Sequence, residues 1–240
     1  MTVANRISAW IAEQVLIAGA KGGVLGLSGG IDSSLTAVLA KRALDDGLLG
    51  LLMPCRSNPQ DLAHGQLLAQ KFHIRTELVD LTPVCDAFLA VLPEGTRLSQ
   101  GNLKARLRMA ALYYHANLYN YLVIGSSNRS ELAVGYFTKF GDGAADILPL
   151  GGLLKRQVRE LARELGVPQT IIEKPPSGGL WPGQTDEGEM GITYDEIDQV
   201  LQALDTGQAH RVPAEALATV QRMMEHSAHK RAMPPFCPLL

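Results

Sequence analysis

Apolar and polar residues alternate along this chain with two different periods, and the switches between them mark out its elements. Near the start, Ile7, Trp10, Ile11 and Val15 fall on one side of a helical wheel with Asn5, Arg6, Glu13 and Gln14 among them. That pattern predicts an amphipathic helix. Val24-Leu25-Gly26-Leu27 is a short apolar run with glycines close behind, as in a buried parallel strand. From Ser33 the period becomes helical, with Leu35, Val38, Leu39 and Leu44 on one face. Leu48 to Met53 predicts a second strand closed by Pro54, Asp61 to Lys71 a helix, and Arg75 to Val79 a third strand. Thr82-Pro83 reads as an N-cap with proline at the first helical position. Gly101 to Leu118 predicts a long helix with Leu103, Leu107, Ala110 and Ala111 inward, followed by a strand at Tyr121 to Ile124. Short apolar strands alternating with helices imply an α/β fold, a doubly wound, mostly parallel sheet flanked by helices with right-handed crossovers.

Past Gly125 the character changes. Phe140 to Gly152 and Pro175 to Gly191 are rich in Gly, Pro, Asp and Ser, which predicts two long loops. Loops of that length in a compact domain are usually functional or disordered. Between them Leu153 to Leu165 is helical and stops at Gly166-Val167-Pro168. Thr193-Tyr194-Asp195-Glu196 is a capping box that opens another helix, and the segment after Pro213 is helical to about His226.

Composition narrows the choice. A length of 240 residues, 46% of them hydrophobic, fits a single domain over 1–240 with a core of its own. The net charge of −2 supplies no basic field, so nucleic acid is not expected as a partner. No apolar run approaches the roughly 20 residues that cross a bilayer, so no membrane association is expected either. Cys55, Cys85 and Cys237 are widely spaced and odd in number, which fits a reduced, cytoplasmic setting and core-filling thiols. Met223 and Met224 read as packing residues, as does Trp10, with an interface as the other reading.

The candidate chemistry begins where the first strand meets the first long helix. Gly26-Leu27-Ser28-Gly29-Gly30-Ile31-Asp32-Ser33 combines glycines, which let the backbone turn tightly and approach an anion, with two hydroxyl donors and a helix N-terminus. Open α/β sheets bind ligands beyond the carboxyl ends of their strands, so the position suits a phosphate site. A bare Gly-Gly would be only a turn; the complete SGGxDS string resembles the pyrophosphate loop of the ATP pyrophosphatase superfamily. That resemblance implies an adenine nucleotide alpha hydrolase-like fold, ATP as co-substrate cleaved between its α and β phosphates, and Asp32 as a ligand of magnesium (Mg2+).

The second half selects among the superfamily's members. Gly125-Ser126-Ser127-Asn128-Arg129-Ser130-Glu131 is followed by Gly135-Tyr136-Phe137-Thr138-Lys139-Phe140-Gly141-Asp142-Gly143. Gly101-Asn102-Leu103-Lys104-Ala105-Arg106 precedes them, and Asp146-Ile147-Leu148-Pro149, Leu154-Lys155-Arg156, Pro176-Ser177-Gly178-Gly179, Gln184-Thr185-Asp186-Glu187 and His229-Lys230-Arg231 follow in order. Together these motifs, spanning nearly the whole chain, resemble the NAD synthetases. The resemblance implies Glu131 as a second Mg2+ ligand opposite Asp32, and Lys155, Ser126 and Ser177 as ATP contacts. Both serines stand where many relatives carry threonine, and the hydroxyl is retained. It gives the deamido-NAD site to Arg106, Lys139, Asp146, His229 and Lys230, since a dinucleotide with a carboxylate needs cations and ribose-binding acids. Arg106, beside Lys104 and Arg108, also fits an ordinary solvated helix face.

The implied reaction is adenylation of the nicotinate carboxylate, with loss of pyrophosphate, then displacement of AMP by ammonia. Lys155 would stabilise charge on the phosphates. Asp142, beside Lys139 in a loop, is the candidate receptor and proton acceptor for ammonium. The first strand begins within the opening couple of dozen residues, which leaves no room for an N-terminal glutaminase domain. Free ammonia is therefore the expected nitrogen source, a separate glutaminase partner being the other route. The family resemblance also implies a homodimer.

Overall fold

The computed structural model of the chain describes residues 1–181 and 183–237; Pro182, inside the second expected loop, lies outside them. Helix α1 (Val3–Ile17) leads into strand β1 (Gly22–Gly26), helix α2 (Ile31–Leu44), β2 (Leu48–Leu52), α3 (Pro59–Lys71) and β3 (Arg75–Leu78). Then come α4 (Thr82–Val91), α5 (Arg97–Tyr119), β4 (Tyr121–Val123) and the short α6 (Arg129–Val134). The last part holds α7 (Lys155–Glu164), α8 (Gln169–Ile172), α9 (Asp186–Met190), α10 (Tyr194–Asp205) and α11 (Ala214–His226).

The four strands form one sheet in the order β3-β2-β1-β4, and every pairing is parallel. Alternation along each strand sends neighbours to opposite faces. In β2, Leu48 and Leu52 join a cluster with α1, α2, α3 and α7, while Leu49 and Leu51 join one with α4 and α5. Both faces are therefore covered, as the continuous apolar runs predict. Burying each such leucine contributes about 1.5–3 kcal/mol. A third cluster ties α6, α10 and α11 together beside the sheet.

Several expected details differ. Helix α2 is buried from Ser33 to Ala40 on every side, not on one face, because it lies between the sheet, α1 and α7. It begins at Ile31, two residues earlier than expected. Helix α5 begins at Arg97, capped by the Thr96 hydroxyl on the Ser99 N–H at 3.1 Å, and its Ala110 is exposed while Ala105 and Ala116 are buried. On α1 the inward residues are Ala4, Ser8, Ile11 and Val15; Trp10 is exposed. Thr82 is the first helical residue of α4 and not its cap, since the Asp80 carboxylate accepts the Thr82 N–H at 2.9 Å. The second expected loop contains α9. Cys55 and Cys85 are buried, and Cys237 is exposed.

One buried acid joins the satellite helices to the sheet. Leu154 offers no side-chain cap to α7, and Asp198 on α10 does that work. Its carboxylate accepts the N–H groups of Lys155 and Arg156 at 3.3 and 2.9 Å and the hydroxyl of Ser130, whose oxygen in turn accepts the Lys155 N–H. Asp198→Ala strips a buried acceptor from two amides and a hydroxyl. We expect a loss of about 2–4 kcal/mol in urea unfolding at neutral pH; a change below about 0.5 kcal/mol would contradict the cap.

Candidate active site

Strand β1 is flanked by β2 on one side and β4 on the other, so the chain leaves it at the sheet's switch point. The Leu27 N–H extends the ladder by donating to Leu51 O, and Gly29 then turns at φ +76°. A Cβ at Gly29 would lie 2.2 Å from the carbonyl oxygen of Asp61, so the position accepts no larger residue without moving α3. Ser28 and Ser33 bind each other, Oγ to Oγ at 2.9 Å, and Ser33 Oγ also donates to Gly30 O. Gly30 caps α2 without a side chain, so no hydroxyl or carboxylate competes for the amides of its first turn.

Facing this loop is a cluster drawn from three helices. Lys155, 1% exposed at the start of α7, places Nζ 2.6 Å from Asp32 Oδ2 and 3.1 Å from Glu131 Oε1. Asn128 orients both acids: its side-chain amide donates to Asp32 Oδ1 at 2.8 Å, and its backbone N–H donates to Glu131 Oε2 within the capping box of α6. The Tyr194 ring lies 4.5 Å from Lys155 Nζ, and its hydroxyl sits between Glu131 Oε1 and Asp186 Oδ2. Burial pushes the Glu131 carboxyl up to about 7 even though Lys155 pulls the other way. Burial opposes the charge on Lys155, and the two acids outweigh it, so its pKa is raised. Asp186 is raised by burial too.

Asp32, Glu131, Lys155 and Asp186 line a cavity of about 550 Å³, an ordinary size for a ligand pocket. Of the expected nucleotide residues, Leu27, Ser28, Gly30, Ile31, Asp32, Ser33, Ser126, Glu131, Lys155 and Ser177 all line it. Gly26 ends β1 and Gly29 lies in the turn that follows it; neither lines the cavity itself. The segment from Lys174 to Leu180 covers another part of the cavity that the phosphate loop lines, tied down by a Lys174–Asp61 ion pair and by Lys104 Nζ donating to Leu180 O at 2.7 Å. Ser177 Oγ accepts the Gly179 N–H.

Asp142 opens onto the cavity, and its Oδ1 accepts the Thr138 N–H at 2.9 Å. Surrounding protein raises its pKa, against the pull of that hydrogen bond. It does not pair with Lys139, which instead donates to the carbonyl of His229. Arg106 is exposed and donates to Lys139 O at 3.3 Å, so Arg106, Lys139 and His229 form a band outside the cavity. Lys230 reaches inside and donates to Gly135 O and Phe137 O, both at 2.8 Å. Asp146 stands apart, accepting the Val123 N–H at 2.7 Å and the Tyr113 hydroxyl at 3.2 Å.

Sequence reasoning missed Asp61, Arg108, Asp186, Tyr194 and Lys174, all of which touch this site or its cover. Asp186 and Tyr194 lie within motifs named above, but nothing in their local pattern signals that the Tyr194 hydroxyl joins Asp186 to Glu131.

A family model described as NAD synthase matches residues 3–234. The NH(3)-dependent NAD(+) synthetase of Syntrophomonas wolfei subsp. wolfei is 48% identical over 240 residues, covering 97% of this chain and 94% of that one. Among solved structures, NMN synthetase from Francisella tularensis has a TM-score of 0.92 and 41% identity, covering 99% of this chain and 98% of that one. The NH3-dependent NAD synthetase of Campylobacter jejuni subsp. jejuni, in complex with the nitrate ion, has a TM-score of 0.86 and 34% identity, with 98% and 97% covered.

Removing the Lys155 charge leaves Asp32 and Glu131 facing each other without a counterion. We expect Lys155→Met to lower stability by about 3–5 kcal/mol. Guanidinium unfolding of the purified variant measures this, and a loss under 1 kcal/mol would mean the cluster is not held by the lysine.

Proposed function

The chain belongs to the NAD synthase family, and from that premise we infer that it is an ammonia-dependent NAD synthetase. This ligase makes a C–N bond from the carboxylate of deamido-NAD and ammonia, converting ATP to AMP and pyrophosphate. The observation that carries the reading is the Asp32–Lys155–Glu131 cluster facing a glycine turn at the sheet's switch point.

A carboxylate is a poor acyl donor because oxide would have to leave. Attack of its oxygen on the α-phosphorus of ATP expels pyrophosphate and leaves an acyl adenylate. Ammonia then adds to the carbonyl carbon and AMP departs. The amides at the start of α2 and the Lys155 ammonium offset negative charge on the phosphates, while Ser126 and Ser177 offer hydroxyls. The family reading calls for Mg2+. A cation already rests between Asp32 and Glu131, and two hard carboxylates that leave other positions to water and phosphate suit this ion. Those two residues would hold Mg2+, which when bound supplies charge neutralisation for departing pyrophosphate.

Asp142 receives ammonium and takes its proton; raised by burial, its carboxylate is a better base than an exposed aspartate. Arg106, Lys139, Asp146, His229 and Lys230 serve the deamido-NAD end. Arg106, Lys139 and His229 lie together at the surface beside the cavity, where the long dinucleotide would extend. The protein acts as a homodimer. Val84, Phe88 and Val91 share one exposed face of α4, an apolar surface suited to a second copy. Its setting is cytoplasmic, in keeping with the buried thiols of Cys55 and Cys85; among the described residues no helix is long and apolar enough to cross a membrane.

A second substrate is favoured by the NMN synthetase structure, to which this chain is 41% identical. The deamidated mononucleotide carries the same nicotinate carboxylate and could undergo the same two steps.

With ATP, Mg2+ and ammonium, and without glutamine, the purified protein should form NAD from deamido-NAD, with AMP and pyrophosphate in equal amounts. Comparing kcat/KM for the dinucleotide and the mononucleotide decides which is preferred. Release of ADP, or no amide from either nucleotide, would reject the reading. Asp142→Asn should keep ATP–pyrophosphate exchange near the native rate and raise the KM for ammonium by at least about tenfold. Normal ammonium dependence in that variant would remove Asp142 from the mechanism.

A further inference from the structure

The cations that line the cavity are not alike. Lys155 is held by Asp32 and Glu131, and Lys174 by Asp61. Lys230 donates to two backbone carbonyls and already has a place in the substrate site proposed above. Arg108 has neither a carboxylate partner nor an assigned role. Its Nε donates to Met53 O at 3.2 Å and its Nη2 to Ser57 Oγ at 3.0 Å. Among the described residues no acid lies within ion-pairing distance of it.

A guanidinium carries five N–H donors in a planar fork that matches two oxygens of a carboxylate or phosphate. Arg108 spends two of them on neutral oxygens. Burial presses its pKa below the usual arginine range, the sign of a charge set in poorly solvated surroundings. Leu98, Asn102, Ala105 and Arg108 recur at helical spacing along α5 and all line the cavity, so the arginine leaves the helix on the side that faces the ligand space. A brace between the end of β2 and the following loop would explain both hydrogen bonds. It would not explain a permanent charge, since a neutral amide can make the same bonds without desolvating one.

We propose that Arg108 binds an oxyanion of the reacting substrates, either the α-phosphate of ATP or the nicotinate carboxylate that attacks it. This rests on the reaction proposed above. The anion supplies the charge that the protein leaves unmatched, and the fork geometry orients it.

Two variants test this, Arg108→Gln and Arg108→Lys, each checked for folding by circular dichroism and thermal melting. Arg108→Gln should melt close to the native protein and lose roughly 100-fold in kcat/KM, with Arg108→Lys recovering part of it. Calorimetric titration with MgATP alone separates the two anions. Weakened ATP binding assigns the phosphate; native ATP binding with a raised KM for the nicotinate nucleotide assigns the carboxylate. The KM for ammonium should not move. A folded Arg108→Gln with both parameters within about threefold of native overturns the inference, as does failure of both variants to fold, which would make Arg108 a brace. The native protein is assayed in parallel: no amide product there overturns the parent reaction, whereas the other outcomes bear on Arg108 alone.

Discussion

The site depends on one buried ammonium. Lys155 brings together an acid at the start of α2 and an acid in the first turn of α6, elements far apart in sequence that approach at the ends of β1 and β4. Without that cation, two carboxylates could not both stay ionised in so little water. The lysine must then be held in turn. Asp198 caps the turn it starts from, and Tyr194, four residues earlier on α10, lies beside its ammonium. The i, i+4 spacing puts both on one helix face. Helix α10 therefore acts on the sheet's chemistry through Lys155 and, by the Tyr194 hydroxyl, through Glu131 as well.

Backbone geometry sets the other half of the site. The glycine turn after β1 packs against α3 so closely that only a hydrogen fits between Gly29 and Asp61. Asp61 meets the cover of the cavity as well, through its ion pair with Lys174. The phosphate loop and the segment that covers the cavity thus meet one residue in common, so displacement of either would be felt by the other.

The parts legible in the sequence were those written in short-range patterns. Apolar runs located β1, β2 and β4, the expected strand at Arg75 to Val79 matches β3, and the glycine turn and the ordered motifs located Asp32, Glu131 and Lys155, which the fold brings together. What the pattern concealed was long-range. Lys104 and Arg108, read as neighbours on a solvated face, instead turn inward to Leu180 O and Met53 O, because the cover and the β2 end supply acceptors no local window can contain. Trp10 fits the helical wheel yet stays outside, since Ala4 and Ile11 of α1, with α7, already pack against α2. Helix α5 starts early because the Thr96 cap outweighs the polar composition of its first turn. The residues proposed for deamido-NAD scatter for the same reason, Lys230 lining the cavity, Arg106, Lys139 and His229 lying outside it and Asp146 standing apart: motif order carries no depth.

Stability alone does not account for the central cluster. Replacing a buried ion pair by well-packed apolar residues is often neutral or stabilising, by about 1–4 kcal/mol. A leucine at each of the three positions would be simpler to fold. The chain instead keeps three charged groups, adds Asn128 to orient the acids, and spends Asp198 and Tyr194 on the lysine. All of this sits where the sheet leaves a crevice open to ligand and where the first amides of α2 lack a side-chain cap. Amides and an ammonium on one side of a cavity, with two acids able to hold a cation between them, form a surface complementary to a polyanion with its metal and to little else. The arrangement is costly as packing and sensible as binding, and this is the physical reason to assign the cluster to chemistry and not to the core.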